Sequence, residues 1–394
     1  MRTYVNVNPK LIRWAIDRSG LSGRGAGHPI LDKAESWLVG DKKPTLRMLE
    51  DFAKKVMVPL GYLFLDEPPI EQLPIADYRT FDDSLPKNPS PNLIDTIHDM
   101  QLRQEWMRDY LIEIGAGTVP FIGTLNNKIS IVDAARQIKK DLGLPDDWSR
   151  QCDKWADSFK ILRNAIDQVG ILVFTNGVVR LNTSRPLDPE EFRGFVLLDK
   201  YAPLIFVNRN DTTSAQIFTL IHEVAHIWMG RSGLFNLQHW EPSADQGEKY
   251  CNKIAAEFLL PEDDLLRVWQ TVSQHERPFR QLASLFKISP IVAARRAFDK
   301  QLISRNEFFQ FYTQEQERWE FLKEEKKQKK QSGGDFHATQ SLRFSKRFID
   351  AIAASVGEGS LTYHDAYQLT GMRGKTFDHF LFHVQKTEQY GGED

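Results

Sequence analysis

His222, Glu223 and His226 fall in the string I-H-E-V-A-H, residues 221–226. Positions four apart on a helix share a face, so both imidazoles can point at a single ion. Glu223 sits one step round, close enough to reach a water on that ion without ligating it. This is the residue set of metal-assisted hydrolysis. A zinc ion lowers the pKa of its water toward about 7, and the carboxylate takes the proton as the water attacks a carbonyl.

A catalytic zinc also needs a third protein ligand and an open fourth position. The carboxylates and imidazole downstream are His239, Glu241, Asp245, Glu248 and Glu257. Glu248 is the best placed, with His239 the runner-up. Glu248 shares a helical face with Asn252, Ala255 and Leu259. Glu257 lies about 180° round that helix, so the two cannot both face one ion. The small Ala255 and Ala256 allow this helix to approach the first one closely. An oxyanion donor is not singled out among Tyr250, His239 and Arg231.

The elements that must hold these residues are legible. Asp211 or Thr212 can cap a helix that Gly230 stops, and its residues Ile217, Leu220, Ile221, Val224, Ala225 and Ile227 are apolar enough to bury it. A second helix runs from about Gln246 to Leu260 and ends at Pro261. ILVFTNG (171–177), FRGFVLLD (192–199) and APLIFVN (202–208) read as strands. Helical patterns cover Leu93–Ile114, Ile131–Leu142 and Trp155–Val169, and FRQLASLFKISPIVAARRAFDKQLIS gives two short helices divided near Ser289-Pro290. The fold class is α+β, mainly helical with a small sheet.

The chain has 394 residues, which implies several domains. The division expected is a helical unit over 1–80, a helical connector over 81–154, a metal-binding domain over 155–305, a charged helix and linker over 306–340, and a small helical module over 341–394. KEEKKQKKQSGGD reads as a mobile linker. The net charge of −2 argues against a global polyanion binder. Two cysteines, Cys152 and Cys251, fit a reducing cytoplasmic compartment rather than a disulfide framework. The opening MRTYVNVNPK has no apolar signal segment, and no run approaches the length of a membrane span.

FRGFVLLDKYAPLIFVN, AQIFTLIHEVAHIWMG and EKYCNKIAAEFLLP together resemble the ImmA/IrrE metallopeptidases, regulators of bacteria and phages with a gluzincin-like zinc site. The resemblance covers about residues 155–300. It implies zinc ligation by His222, His226 and Glu248, with Glu223 as the catalytic base. Cys251 stands where alanine is common in that family, and Ile254 where phenylalanine is common. WLVGDKKPTLRMLEDFAKKVMVPLGYLF (37–64) resembles an Xre/Cro-type helix-turn-helix domain, which often precedes this peptidase. LSGRGAGHPILDK ahead of it carries three glycines and a proline, which disfavour helix. Residues 1–60 hold 11 Lys/Arg against 6 Asp/Glu, and Arg24, Lys33, Lys42, Lys43 and Arg47 are the candidate phosphate contacts. SLTYHDAYQLTGM in the tail is weakly similar to the start of a helix-turn-helix.

The function expected is site-specific cleavage of a repressor or antitoxin-like protein by a zinc peptidase. An extended substrate would pair with the edge of one of the strands at 192–199 and 202–208. The alternative is a transcriptional regulator or antitoxin-like binding protein whose zinc is structural or vestigial. An intact Glu223 speaks against it, since a structural site needs no base.

Overall fold

The computed structural model describes residues 4–21, 28–69, 73, 75, 89–126, 128–235, 246–328 and 342–390. The chain divides into two compact units. One comprises Met1–Pro74 and Phe81–His98, the other Ile75–Thr80 and Asp99–Asp394.

The first unit contains helices α1 (Pro9–Arg18), α2 (Pro29–Leu38) and α3 (Leu46–Val56), followed by a 3-10 turn, Leu60–Phe64. Pro9 and Pro29 occupy first-turn positions, where the missing N–H costs nothing. Helix therefore forms from Pro29 onward, within a stretch whose glycine and proline content argued against it. Thr45 caps α3 by accepting from Met48 N at 3.3 Å. Ile12, Ala15, Ala34, Trp37, Leu49, Phe52 and Val56 form the core, with Trp37 edge-on to Phe52.

The second unit is built round a four-stranded sheet in the order β1-β5-β4-β6, with β1 Leu172–Asn176, β4 Gly194–Leu197, β5 Leu204–Asn208 and β6 Gly233–Phe235. β1 runs parallel to β5, while β4 is antiparallel to both β5 and β6. β1, β4 and β5 are buried apolar runs. The order corrects the edge-strand expectation. Among the described residues β4 and β5 are both interior, and the edges belong to β1 and β6. A separate hairpin joins β2 (Val178–Val179) and β3 (Asn182–Pro186).

α4 (Pro91–Glu113) begins in the first unit and continues in the second from Asp99 onward, and the second unit also holds α5 (Ile131–Asp141), α6 (Trp155–Gln168), α7 (Thr213–Met229), α8 (Gln246–Leu259), α9 (Glu262–Val272), α10 (Pro278–Phe286), α11 (Pro290–Asp299) and α12 (Arg305–Gln328). α7 packs on β4, β5, α6 and α8, and α8 also packs on α5. The expected linker begins inside α12, and its residues 329–335 lie outside the described residues. Among the described residues no helix is long and apolar enough to cross a membrane.

The tail forms α13 (Lys346–Glu358), α14 (Tyr363–Thr370) and α15 (Lys375–Tyr390). It is tied to the body of this unit. Phe348 packs edge-on to Phe174 of β1 at 5.1 Å, and Phe344 lies against the same ring. Thr175 Oγ1 donates to Leu342 O at 2.6 Å, and the Arg163 guanidinium donates to Phe344 O. Arg103 of α4 sits over the rings of both Phe174 and Phe344, and its Nε donates to Leu369 O at 2.8 Å.

Candidate metal centre

α7 is apolar on nearly every side, so it is buried as a core helix rather than half-buried as a surface one. Thr212 caps it by accepting from Ala215 N, and Gly230 ends it at a φ of +67°. Only glycine takes that conformation cheaply. At the same point a Cβ on Gly230 would stand 3.0 Å from the Gly123 Cα. The segment carrying Gly123 is pinned to the helix end, with Gly123 N on Ile227 O and Leu125 N on Trp228 O. Trp228 Nε1 donates to Asp141 at 2.9 Å, which fixes the helix against α5.

Two turns of this frame bring three donors together. His222 Nε2 and His226 Nε2 lie 2.9 Å apart. Glu248, in the first turn of α8, places Oε2 at 3.2 Å from His222 Nε2 and Oε1 at 3.0 Å from His226 Nε2. Ligands at zinc bond lengths in a tetrahedron sit about 3.3 Å from one another. The three donor atoms therefore have the spacing of atoms that surround one small cation. All three side chains are buried, as is Glu223. Two imidazoles and a carboxylate are the donor set of a catalytic zinc site with one position left open.

The protonation states suit a cation. Burial pushes His222 down to about 4, with the neighbouring His226 adding to the effect against the pull of Glu248, so its imidazole is neutral near pH 7. Burial alone would raise the Glu248 carboxyl. Its hydrogen bonds with His222 and His226 outweigh that and hold it well below the usual carboxylate range. Glu223 goes the other way, driven up first by burial and then by the charge of Glu248. Both Glu223 oxygens are buried without a hydrogen-bond partner among the described residues. A carboxylate left in that condition is costly unless a cation or a polar ligand shares the site.

The remaining sequence candidates separate clearly. Glu257 is buried, but it faces Arg296 of α11 and accepts from Glu262 N at 3.0 Å, so its role is to join α8 to α9 and α11. His239, Glu241 and Asp245 lie outside the described residues. Tyr250 donates its hydroxyl to Ile129 O at 2.7 Å and is committed to that loop. Arg231 N donates to His226 O, closing the end of α7. In the first unit Lys33, Lys42, Lys43 and Arg47 are exposed along α2, the following turn and the start of α3, and Arg24 lies outside the described residues.

Sequence reasoning missed Gly194 and Arg296. A Cβ at Gly194 would stand 2.6 Å from Thr219 Cγ2 and 3.1 Å from Glu223 Oε1, so β4 can pass over the face of α7 that carries Glu223 only with glycine there. A lone glycine inside an apolar strand was the available signal. Nothing local marks Arg296, whose partner is a helix away.

Residues 166–298 match the family model described as the IrrE N-terminal-like domain, a peptidase family, and this span contains all four residues of the site. Residues 344–382 match a domain of unknown function, DUF8813. No curated protein and no solved structure matches the chain.

Proposed function

We propose that the chain is a zinc-dependent, site-specific peptidase of a bacterial or phage regulatory system, acting in the cytoplasm on a repressor or antitoxin-like protein. The observation that carries this reading is the convergence of His222, His226 and Glu248 beside a buried Glu223 whose oxygens make no hydrogen bond among the described residues. His222, His226 and Glu248 hold the ion. Zinc bound there supplies a Lewis acid for a peptide carbonyl and lowers the pKa of water toward about 7. Glu223 takes the proton from the attacking water and returns it to the leaving amine.

Among the described residues β6 is an edge of the sheet, and it adjoins this chemistry, since Phe235 pairs with Gly194 and Gly194 adjoins Glu223. An extended substrate segment pairs there by strand addition. The regulatory substrate follows from the ImmA/IrrE resemblance. The exposed Lys33, Lys42, Lys43 and Arg47, with Arg24, support a role for the first unit in contacting DNA phosphates.

The test is metal content together with cleavage of repressor or antitoxin proteins encoded beside this gene, comparing wild type with Glu223→Gln. One zinc per chain in both proteins, with cleavage by wild type only, is the expected result. Zinc in both with the same biological activity would support a regulator with a structural metal instead. Absence of zinc from both would overturn the reading.

A further inference from the structure

Glu248 differs from the two histidines in how its place is held. His222 and His226 sit inside a buried core helix that is capped at both ends. Glu248 is the third residue of α8 and follows Gly247, a poor helix former. The first N–H groups of a helix have no partner within it, and helix ends fray. The first turn of α8 is therefore the part of the donor set that most needs an anchor outside its own helix.

Tyr250 supplies one. It lies two residues past Glu248, about 200° round the helix, so its ring leaves α8 on the side away from the donor set. Its hydroxyl donates to Ile129 O at 2.7 Å, with Asn126 O at 3.3 Å. Ile129 N in turn donates to Asn126 O at 3.1 Å. Both carbonyls precede α5, whose cap, Ser130, accepts from Asp133 N at 3.1 Å. The same segment is bonded to the end of α7, with Gly123 N on Ile227 O at 3.1 Å and Leu125 N on Trp228 O at 2.9 Å. Hydrogen bonds thus link the residue after His226 to the turn that carries Glu248.

We infer that Tyr250 is a positioning residue for the metal centre: its hydroxyl holds the first turn of α8 closed before an ion binds, with Glu248 already beside His222 and His226. The inference rests on the reading of these three residues as zinc ligands. Without the hydroxyl the turn opens in metal-free protein, and apparent zinc affinity falls with the fraction of molecules in which it stays closed.

One hydrogen bond shifts an equilibrium by about 2- to 10-fold. The experiment measures the zinc dissociation constant by competition with a chelator for full-length wild type, Tyr250→Phe and Thr175→Val, with urea unfolding of each protein without metal. Tyr250→Phe keeps the ring and removes only the hydroxyl. Thr175→Val also removes a hydroxyl that donates to a backbone carbonyl, Leu342 O at 2.6 Å, but it does so on β1. The expected result is zinc affinity weakened about 2- to 10-fold in Tyr250→Phe and unchanged in Thr175→Val. Amide exchange over residues 250–252 should quicken in metal-free Tyr250→Phe while α7 stays protected.

Wild-type zinc affinity in Tyr250→Phe would overturn the inference and leave the zinc reading intact, even if that variant unfolds more easily. Equal weakening by Thr175→Val would overturn it too, since the loss would then be one of general stability. Unchanged exchange at the start of α8 would show that the hydroxyl does not hold the turn, with the same consequence. Wild type that binds no zinc would remove both readings.

Discussion

Gly194 on β4 lies directly against the Glu223 carboxylate on α7, so close that a Cβ at residue 194 would stand 3.1 Å from Glu223 Oε1. The same Cβ would also meet Thr219 Cγ2 at 2.6 Å and Phe206 O at 2.8 Å. Neither the backbone oxygen nor the helix can move without shifting the sheet. Gly194→Ala should therefore cost about 1–3 kcal/mol of stability, as overpacked sites do. Peptide hydrolysis should fall more than zinc affinity, because the displaced group is the proposed base rather than a proposed ligand. Urea unfolding and zinc titration of the same protein check this; unchanged hydrolysis would show that the base tolerates displacement.

Arg296 and Glu257 form a buried ion pair behind α8, and the Arg296 Nε also donates to Leu260 O at 3.1 Å. Arg296→Met leaves the Glu257 charge buried without its partner, a change that costs about 3–5 kcal/mol. Adding Glu257→Gln should recover a large part of the loss. Because α8 carries Glu248, zinc affinity should weaken in the single variant and recover in the double. A double-mutant cycle on unfolding free energy measures both, and additive losses would mean that the pair is not coupled.

Much of the site was readable from local signals. Thr212 and Gly230 bound α7, and the helical period that sets Glu257 about half a turn round α8 from Glu248 agrees with Glu257 facing Arg296 while Glu248 lies beside His222 and His226. β1, β4 and β5 announced themselves as apolar runs. The order of the strands was not readable, because it depends on pairing between distant segments. β6 is only three residues long, too short for a pattern, yet its presence makes β4 interior. The hairpin pairs a two-residue β2 with a polar β3, so it has no alternation to detect. Arg296 was invisible for the same reason as the strand order, since its partner is set by packing between helices.

Phe348 is the aromatic anchor of the tail. It is fully buried against Phe174 of β1 and edge-on to Trp106 of α4. Phe348→Ala should destabilise the second unit by about 3–5 kcal/mol, the usual range for an emptied aromatic core site. The tail and the body should melt together in wild type, as parts of one cooperative core. Hydrogen exchange resolves the question: equal protection losses in β1 and α13 are expected, and loss confined to α13 would mean that the tail is only loosely attached.

Asp167 of α6 accepts from Ser345 Oγ and from Arg347 N at 3.1 Å, at the junction with the tail. Burial raises its pKa, and this outweighs the opposing hydrogen bonds of Ser345 and Arg347 and the charge of Arg163. The native carboxyl thus binds its proton more tightly than the unfolded chain does. Its contribution to stability is fully present below the unfolded pKa of about 3.9 and is lost as pH rises through the raised native value. Asn at 167 has no such titration. The unfolding free energy of wild type minus that of Asp167→Asn should therefore fall as pH rises through that window and then level off. Urea unfolding of both proteins across a pH series measures the difference. A difference that grows with pH would mean that the junction stabilises the ionised carboxylate, with the hydrogen bonds of Ser345 and Arg347 and the charges of Arg163 and Arg347 outweighing burial.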